Sequence, residues 1–144
     1  MAYAVKADLE NRVHPDLLVL WCDDDNDGSL DAGELAIIDD AIDSAEDLIN
    51  TKLGNRYAAP FSTTPGIIKR ICVDIAVWRL ANRRGAVSDK NSIVEYNFGE
   101  ATTLLEQIAA GDVPIPDVDP NVASIGCNKT EDDRLITMDE LEDM

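Results

Sequence analysis

The chain has 144 residues, of which 45% are hydrophobic, and its 29 acidic and 12 basic residues give a formal net charge of −17. This length predicts one globular domain with a hydrophobic core of its own. The negative charge repels nucleic-acid phosphates and argues against direct binding of DNA or RNA, although an acidic wall suits a passage for DNA.

No signal peptide is recognisable after Met1, and no apolar run reaches the roughly 20 residues that span a bilayer. We therefore expect an intracellular protein with no membrane contact. Cys22, Cys72 and Cys127, with His14 as the sole histidine, form neither a zinc set nor a disulfide set. A nucleophile pair of Cys22 and His14 lacks any activated-cysteine motif, so we predict no catalysis by this pair. No other catalytic constellation appears in the sequence, and we therefore predict no enzymatic activity.

Two short helices are predicted first, over residues 6–13 and about 15–22, the second with Pro15 in its first turn. A long amphipathic helix follows and ends at Gly54. Apolar residues at three- and four-residue spacing mark its inner face, namely Leu35, Ile38, Ala41, Ile42, Ala45, Leu48, Ile49 and Leu53. Its polar face carries Asp39, Asp40, Asp43, Glu46 and Asp47.

Two further helices complete the prediction. One runs from Gly66 to about Asn82, is nearly free of polar residues on one side, and is expected to be buried. The other ends at Gly111, with Ile93, Tyr96, Ala101, Leu104, Leu105 and Ile108 as its predicted inner face. No strand pattern is found, so the predicted fold class is all-α, a small bundle of about four to five helices.

Three polar residues are singled out, one inside a predicted helix and two just after the long one. Asp74 lies in the apolar stripe of the buried helix and needs a partner, for which Arg56 and Arg79 are the candidates. Arg56 and Tyr57 follow the long helix and indicate first packing and hydrogen bonding. An interface role comes second, because both residue types are enriched at binding hot spots.

The composition changes after Gly111, which divides the chain into a helical domain, residues 1–111, and an extended acidic C-terminal arm, residues 112–144. Three prolines and ten acidic residues are set against only Lys129 and Arg134 in this arm. Two interpretations of this arm stay open: it is a disordered acidic tail, or it becomes ordered when it binds a partner. Its apolar anchors would be Val113, Ile115, Val118, Val122, Ile125, Leu135 and Ile136.

Residues 23–34, DDDNDGSLDAGE, match a calcium-binding EF-hand loop. The ligand positions fall on Asp23, Asp25, Asp27, Ser29, Asp31 and Glu34, with Gly28 at the sharp turn. Calcium prefers such hard oxygen ligands, so calcium is the cofactor that this loop predicts. A second loop and a methionine-rich groove are missing from the sequence, which argues against a calcium sensor. The alternative is a capped acidic turn without metal.

Several stretches follow one another along the chain in a recognisable order, namely residues 7–9, 25–28, 41–45, 49–57 with Pro60, 72–80, Tyr96, and 104–111. In their order and spacing these stretches resemble the Mu-like family of tailed-phage neck proteins. The resemblance covers residues 3 to about 116. Trp21-Cys22 and the long acidic tail beyond Pro116 depart from the usual family pattern.

This resemblance implies a virion structural protein, a head-tail connector or adaptor, assembled in the host cytoplasm and located in the neck of the virion. Such a protein forms a homo-oligomeric, typically dodecameric ring under the portal protein, and it meets a neighbouring neck or tail-terminator protein. DNA passes through the ring without specific binding. The alternative function is a stand-alone calcium-binding EF-hand-like module, and a metal-dependent hydrolase is a third reading that lacks a nucleophile.

Overall fold

Five α-helices make up the part of the chain that the computed structural model describes, residues 2–83 and 92–120. They are α1 (Lys6–Arg12), α2 (Pro15–Cys22), α3 (Ala32–Leu53), α4 (Gly66–Asn82) and α5 (Ser92–Ala110). These residues contain no strand, which confirms the predicted all-α class. Within the same residues no helix combines the length and the apolar character that crossing a membrane requires.

The helix boundaries follow local signals in the sequence. His14 precedes α2, and its Nδ1 accepts the backbone N–H of Asp16 at 3.2 Å. Helix α3 stops at Gly54, and α5 stops at Gly111, whose φ of +91° lies in the left-handed region that favours glycine. Every helix boundary that the sequence predicts therefore lies within one residue of the observed one.

Helix α4 is the centre of the bundle. The most extensive packing joins α3 to α4 and α4 to α5. The two N-terminal helices, α1 and α2, also pack on α4. Residues 71–77 of α4 are all buried, so the prediction that this helix is the buried one is confirmed. The predicted inner face of α3 is also confirmed: Ile38, Ala41, Ile42, Ala45, Ile49 and Leu53 are buried, with Leu35 and Leu48 half-buried beside them.

The predicted inner face of α5 is wrong at its first turn. Ile93 is 69% exposed and Tyr96 is 64% exposed, whereas Val94 is buried at 5%. At 100° per residue, Val94 lies in line with the buried Ala101, Leu105 and Ile108, and Ile93 and Tyr96 fall outside this stripe. Two large apolar side chains are consequently left on the surface.

The partner predicted for Asp74 is wrong as well. Its carboxylate accepts hydrogen bonds from Arg12, at 2.7 Å from Nε and 3.3 Å from Nη2, and neither Arg56 nor Arg79 takes that place. Arg12 ends α1, and α1 packs directly on α4. Packing between these two helices selects the partner, because it brings the last turn of α1 over the buried acid.

The first residues after α5 lie on the bundle itself. Ile115 is 2% exposed, and Val113 and Val118 pack against the same core. Three of the apolar residues that the sequence offers as anchors for a partner thus contact their own chain. Residues 111–120 contain no helix, as predicted for the arm, and the other anchors, from Val122 onward, lie outside the described residues. The division at residue 111 stays a prediction.

Candidate functional site

The acidic loop, residues 23–34, joins α2 to α3 and begins as a tight turn around one carboxylate. Asp23 follows the last residue of α2; its Oδ1 accepts the N–H of Asn26 at 2.5 Å and its Oδ2 accepts the N–H of Gly28 at 2.9 Å. Gly28 has a φ of +83° and Asn26 a φ of +61°, values that glycine and asparagine tolerate better than other residues. The sequence pattern Asn-x-Gly is what permits this turn.

The second half of the loop is a helix cap. Asp31 Oδ1 accepts the N–H of Glu34 at 2.8 Å, and Glu34 Oε2 accepts the N–H of Asp31 at 3.0 Å, which is a reciprocal capping box at the start of α3. Glu34 Oε1 also accepts the N–H of Asp24 at 2.6 Å. The Glu34 side chain, only 5% exposed, therefore ties the beginning of the loop to its end.

The carboxylates in the turn have opposite pKa shifts. The N–H of Gly28, together with that of Asn26, lowers the pKa of Asp23 by hydrogen bonding to the charged form. The N–H of Asp27 lowers the pKa of Asp25, but desolvation and the negative charge of Asp27 outweigh it, so the pKa of Asp25 is raised overall. A divalent cation bound at this turn would offset the same negative charge that raises the pKa of Asp25.

Three of the six predicted metal ligands lie close together. Carboxylate oxygens of Asp23, Asp25 and Asp27 all lie within 4.8 Å of one another. Two oxygens that each bind one calcium ion at about 2.3–2.6 Å are at most about 5.2 Å apart, so this trio fits calcium. Ser29 instead donates its hydroxyl to Asp27 at 2.8 Å.

The remaining two predicted ligands, Asp31 and Glu34, belong to the helix cap. A calcium ion that used Glu34 would have to draw its carboxylate away from the backbone amides of Asp24 and Asp31. The loop is thus a capped turn, and calcium binding by its oxygens stays a prediction.

An arginine that the sequence analysis did not name holds the loop to the bundle. Arg83, just after α4, donates to both carboxylate oxygens of Asp24, at 2.9 and 2.6 Å, and to the carbonyl of Trp21 at 3.3 Å. This hydrogen bond to Asp24 raises the pKa of Arg83 above its usual value. The two residues are 59 positions apart, and no local pattern in the sequence signals their pairing.

Of the two predicted interface residues, Tyr57 lies inside the fold. It is 1% exposed, its ring is tilted against Phe61, and its hydroxyl accepts the N–H of Ile115 at 3.3 Å. Arg56 is half-buried and its guanidinium lies against Gly111. Within the described residues Tyr57 therefore packs and forms a hydrogen bond, whereas Arg56 packs and its buried Nε has no hydrogen-bond partner. A role of either residue in an interface stays a prediction.

The thiol of Cys22 and the imidazole of His14, the pair considered from the sequence, are not brought together. His14 and Cys22 stand at opposite ends of α2, a distance of about 12 Å along its axis, and Cys22 is buried. Burial raises the pKa of the Cys72 thiol to about 12. A thiol with that pKa stays protonated and is a poor nucleophile at neutral pH.

The comparisons with known proteins point to one phage family. The model of the family described as "Bacteriophage Mu, Gp36" matches residues 3–126. A curated relative, the Mu-like prophage FluMu protein gp36 of Haemophilus influenzae, is 28% identical over 80 residues. This match covers 56% of the chain and 53% of the relative, so the chain spans about half the length of the curated protein it matches. Because the family model covers most of the chain, the protein belongs to the Bacteriophage Mu Gp36 family.

Proposed function

We propose that this phage protein is a head-tail connector, or adaptor, subunit. It assembles in the host cytoplasm into a homo-oligomeric, dodecameric ring that docks under the portal protein, in the neck of the virion. The ring extends the DNA channel and offers its lower face to a neighbouring neck or tail-terminator protein. Membership of the Mu Gp36 family is the observation that carries the proposal.

The acidic face of α3 supports a role beside DNA. Asp39, Asp40, Asp43 and Asp47 are all exposed, and their spacing places them along one face of the helix. Binding of DNA depends on cationic side chains that displace counterions from phosphates. A channel wall made of carboxylates leaves DNA free to slide, so we propose that this face lines the channel.

Measuring the mass of the purified full-length protein, alone and mixed with its portal protein, tests the proposal. We expect a ring, or a complex in which several copies bind one portal assembly. A protein that stays a strict monomer and never associates with the portal contradicts it. Exposed charges are screened over about 10 Å at 0.1 M salt, so the measurement is made at low and at high salt.

The alternative, a stand-alone calcium-binding module, receives no support from the family to which the chain belongs. Such a module would require calcium to expose a large apolar surface. A connector requires only that the loop hold α2 and α3 in place, which the cap of Glu34 and the contact between Arg83 and Asp24 already do.

A further inference from the structure

One dipeptide in the acidic loop has a chemical reactivity of its own. Asp27 is followed by Gly28, and the sequence contains no other Asp-Gly pair and no Asn-Gly pair. The amide nitrogen that follows an aspartate can attack the carboxyl carbon of that side chain and close a five-membered ring. Glycine in the second position favours the ring, because it has no side chain to hinder the attack and its backbone is permissive. Asp27–Gly28 is therefore the pair in this chain most prone to the reaction.

Solvent reaches this dipeptide from outside. Asp27 and Gly28 are both exposed, and a methyl group added at Gly28 would meet nothing within 4 Å. Neighbouring side chains thus leave room for the ring to form and for water to open it again. Protection of the dipeptide in the folded loop has to come from hydrogen bonds instead of packing.

Both reacting groups are held by such bonds. The N–H of Gly28 donates to Oδ2 of Asp23 at 2.9 Å. On the other side, Oδ1 of Asp27 accepts the N–H and the hydroxyl of Ser29, each at 2.8 Å. The attacking nitrogen and the carboxyl group that it would attack therefore each have a different partner.

The bond to Asp23 acts directly on the attacking atom. The Gly28 nitrogen attacks only after it has lost its proton, and a hydrogen bond to Oδ2 stabilises the protonated form. The negative charge of the same carboxylate also opposes the formation of an anionic nitrogen beside it. Asp23 is only 6% exposed, and its Oδ1 accepts the N–H of Asn26 at 2.5 Å, so the carboxylate is fixed in this position.

We propose that Asp27–Gly28 is a site of spontaneous isomerisation to isoaspartate, and that the Asp23 carboxylate suppresses this reaction in the folded loop. The Gly28 nitrogen gives up its proton and bonds to Cγ of Asp27, one carboxyl oxygen leaves, and a cyclic imide and one water molecule result. Water then adds back and breaks one of the two bonds from the ring nitrogen. Breaking the bond to Cγ restores aspartate. Breaking the bond to the backbone carbonyl carbon leaves isoaspartate, in which the main chain continues through Cβ and Cγ.

Isomerisation lengthens the main chain of the loop by one carbon atom. The turn holds the N–H groups of Asn26 and Gly28 on one carboxylate, and the added atom lies between these two groups. The isomerised turn cannot keep both bonds with the same geometry, so the reaction loosens the connection between α2 and α3. Water is the only co-reactant, and the inference is independent of the connector role because it depends on the chemistry of the loop alone.

Ageing of the full-length protein at neutral pH tests the proposal, in a metal chelator so that no divalent cation occupies the loop. Isoaspartate is measured by enzymatic methylation and located at residue 27 by electron-transfer fragmentation of the peptide. We expect Asp23→Ala to accumulate it at least about fivefold faster than the wild type, the effect of one lost hydrogen bond. Asp16→Ala, which removes a carboxylate that is 91% exposed at the start of α2, is the matched control and should age at the wild-type rate.

Two further variants separate the local effect from overall stability. Arg12→Met removes the partner of the buried Asp74 and destabilises the bundle without touching the loop, so it should age close to the wild-type rate. Asp27→Glu would need a six-membered ring, which forms far more slowly, and should remove the signal. Circular dichroism shows that each variant is folded.

The outcomes decide both halves of the proposal. Faster isomerisation at residue 27 in Asp23→Ala, with the wild-type rate in Asp16→Ala and Arg12→Met, supports it. Equal acceleration in Asp23→Ala and Arg12→Met would mean that overall stability protects the dipeptide, and it overturns the role of Asp23. Absence of isoaspartate at residue 27 in Asp23→Ala, or a wild type that ages as fast as the protein unfolded in urea, overturns the proposal as well.

Discussion

At the scale of single residues, Asp74 and Arg12 form an ion pair whose carboxylate is buried. Asp74 is 4% exposed and Arg12 is 34% exposed, so removing the arginine leaves a buried carboxylate with a poorer partner, Arg70. We expect Arg12→Met to lower the free energy of unfolding in urea by about 2 kcal/mol. Arg79→Met, at the residue favoured by sequence alone, is the control and should change it by less than about 0.5 kcal/mol.

Asp8 gives the stability a defined pH dependence. Burial raises its pKa, but the hydrogen bonds from Lys69 and from the N–H of Val5 and the charge of Lys69 lower it overall; the Lys69 Nζ lies 2.8 Å from the carboxylate. A pKa lowered in the folded state contributes stability above the usual value of 3.8, and this stability is lost as pH falls through the lowered value.

The stabilisation of the wild type over Asp8→Asn should therefore be constant at neutral pH and shrink below about pH 4. Unfolding in urea at a series of pH values measures it. Lys69→Met should weaken the same acid dependence, since it removes the partner. An unchanged difference from pH 7 to pH 3 would contradict the assignment.

Calcium binding is tested with variants that keep the turn and the cap. Asp25→Asn and Asp27→Asn each remove a charge from the carboxylate trio, yet spare Asp23 and Glu34, whose side chains hold the loop together. If the loop binds calcium, the wild type gains about 2.7 kcal/mol of stability at a calcium concentration of 100 Kd. We expect the double variant to lose most of the calcium-induced rise in Tm.

The control for this experiment is Asp39→Asn with Asp40→Asn, which removes two charges from the exposed face of α3. It should retain the calcium response. Equal responses in the wild type and in the loop variant would show that calcium acts through general charge screening and would exclude the site.

At the scale of single elements, the end of α5 depends on a local glycine and on contact with a side chain from a distant part of the chain. Gly111 stops the helix with a φ of +91°, and a methyl group there would clash with the guanidinium of Arg56. We expect Gly111→Ala to destabilise the protein by about 1–3 kcal/mol, mainly because alanine is strained at this φ, while the end of the flexible Arg56 side chain has to move aside. Gly99→Ala, in the interior of α5 with nothing within 4 Å of the added methyl, should instead stabilise the protein by up to about 1 kcal/mol. Urea unfolding compares the two.

Helix α5 also shows the limit of periodicity. Its end was predictable, because Gly111 follows the apolar repeat. Its inner face was not fully predictable. Ile93 and Tyr96 are spaced three residues apart, as residues on one helix face are, and Val94 fits the buried stripe of Ala101, Leu105 and Ile108 equally well. Which of them is buried depends on where α4 lies, and α4 leaves Ile93 and Tyr96 at the surface.

At the scale of the whole molecule, the charge of −17 opposes the compact state through self-repulsion. We expect Tm to rise as sodium chloride is increased from about 10 mM to about 300 mM, because the Debye length falls below the spacing of the exposed carboxylates. A variant with Asp39, Asp40, Asp43 and Asp47 all changed to Asn should be less sensitive to salt. A Tm that falls with added salt would mean that ion pairs such as Arg83–Asp24 outweigh the repulsion.

The sequence by itself determined most of the helix boundaries, the buried character of α4 and the inner face of α3, and it offered the capped acidic turn as the alternative to a calcium loop. These features depend on signals within a few residues, such as Pro15, Gly54 and the pair Asp31–Glu34, whose physical effect is local. The tertiary structure alone decided that Arg12 holds Asp74 across 62 positions and that Arg83 holds Asp24. Those contacts join segments far apart in the chain, so they arise only when the helices pack and each side chain reaches what its neighbouring helix presents.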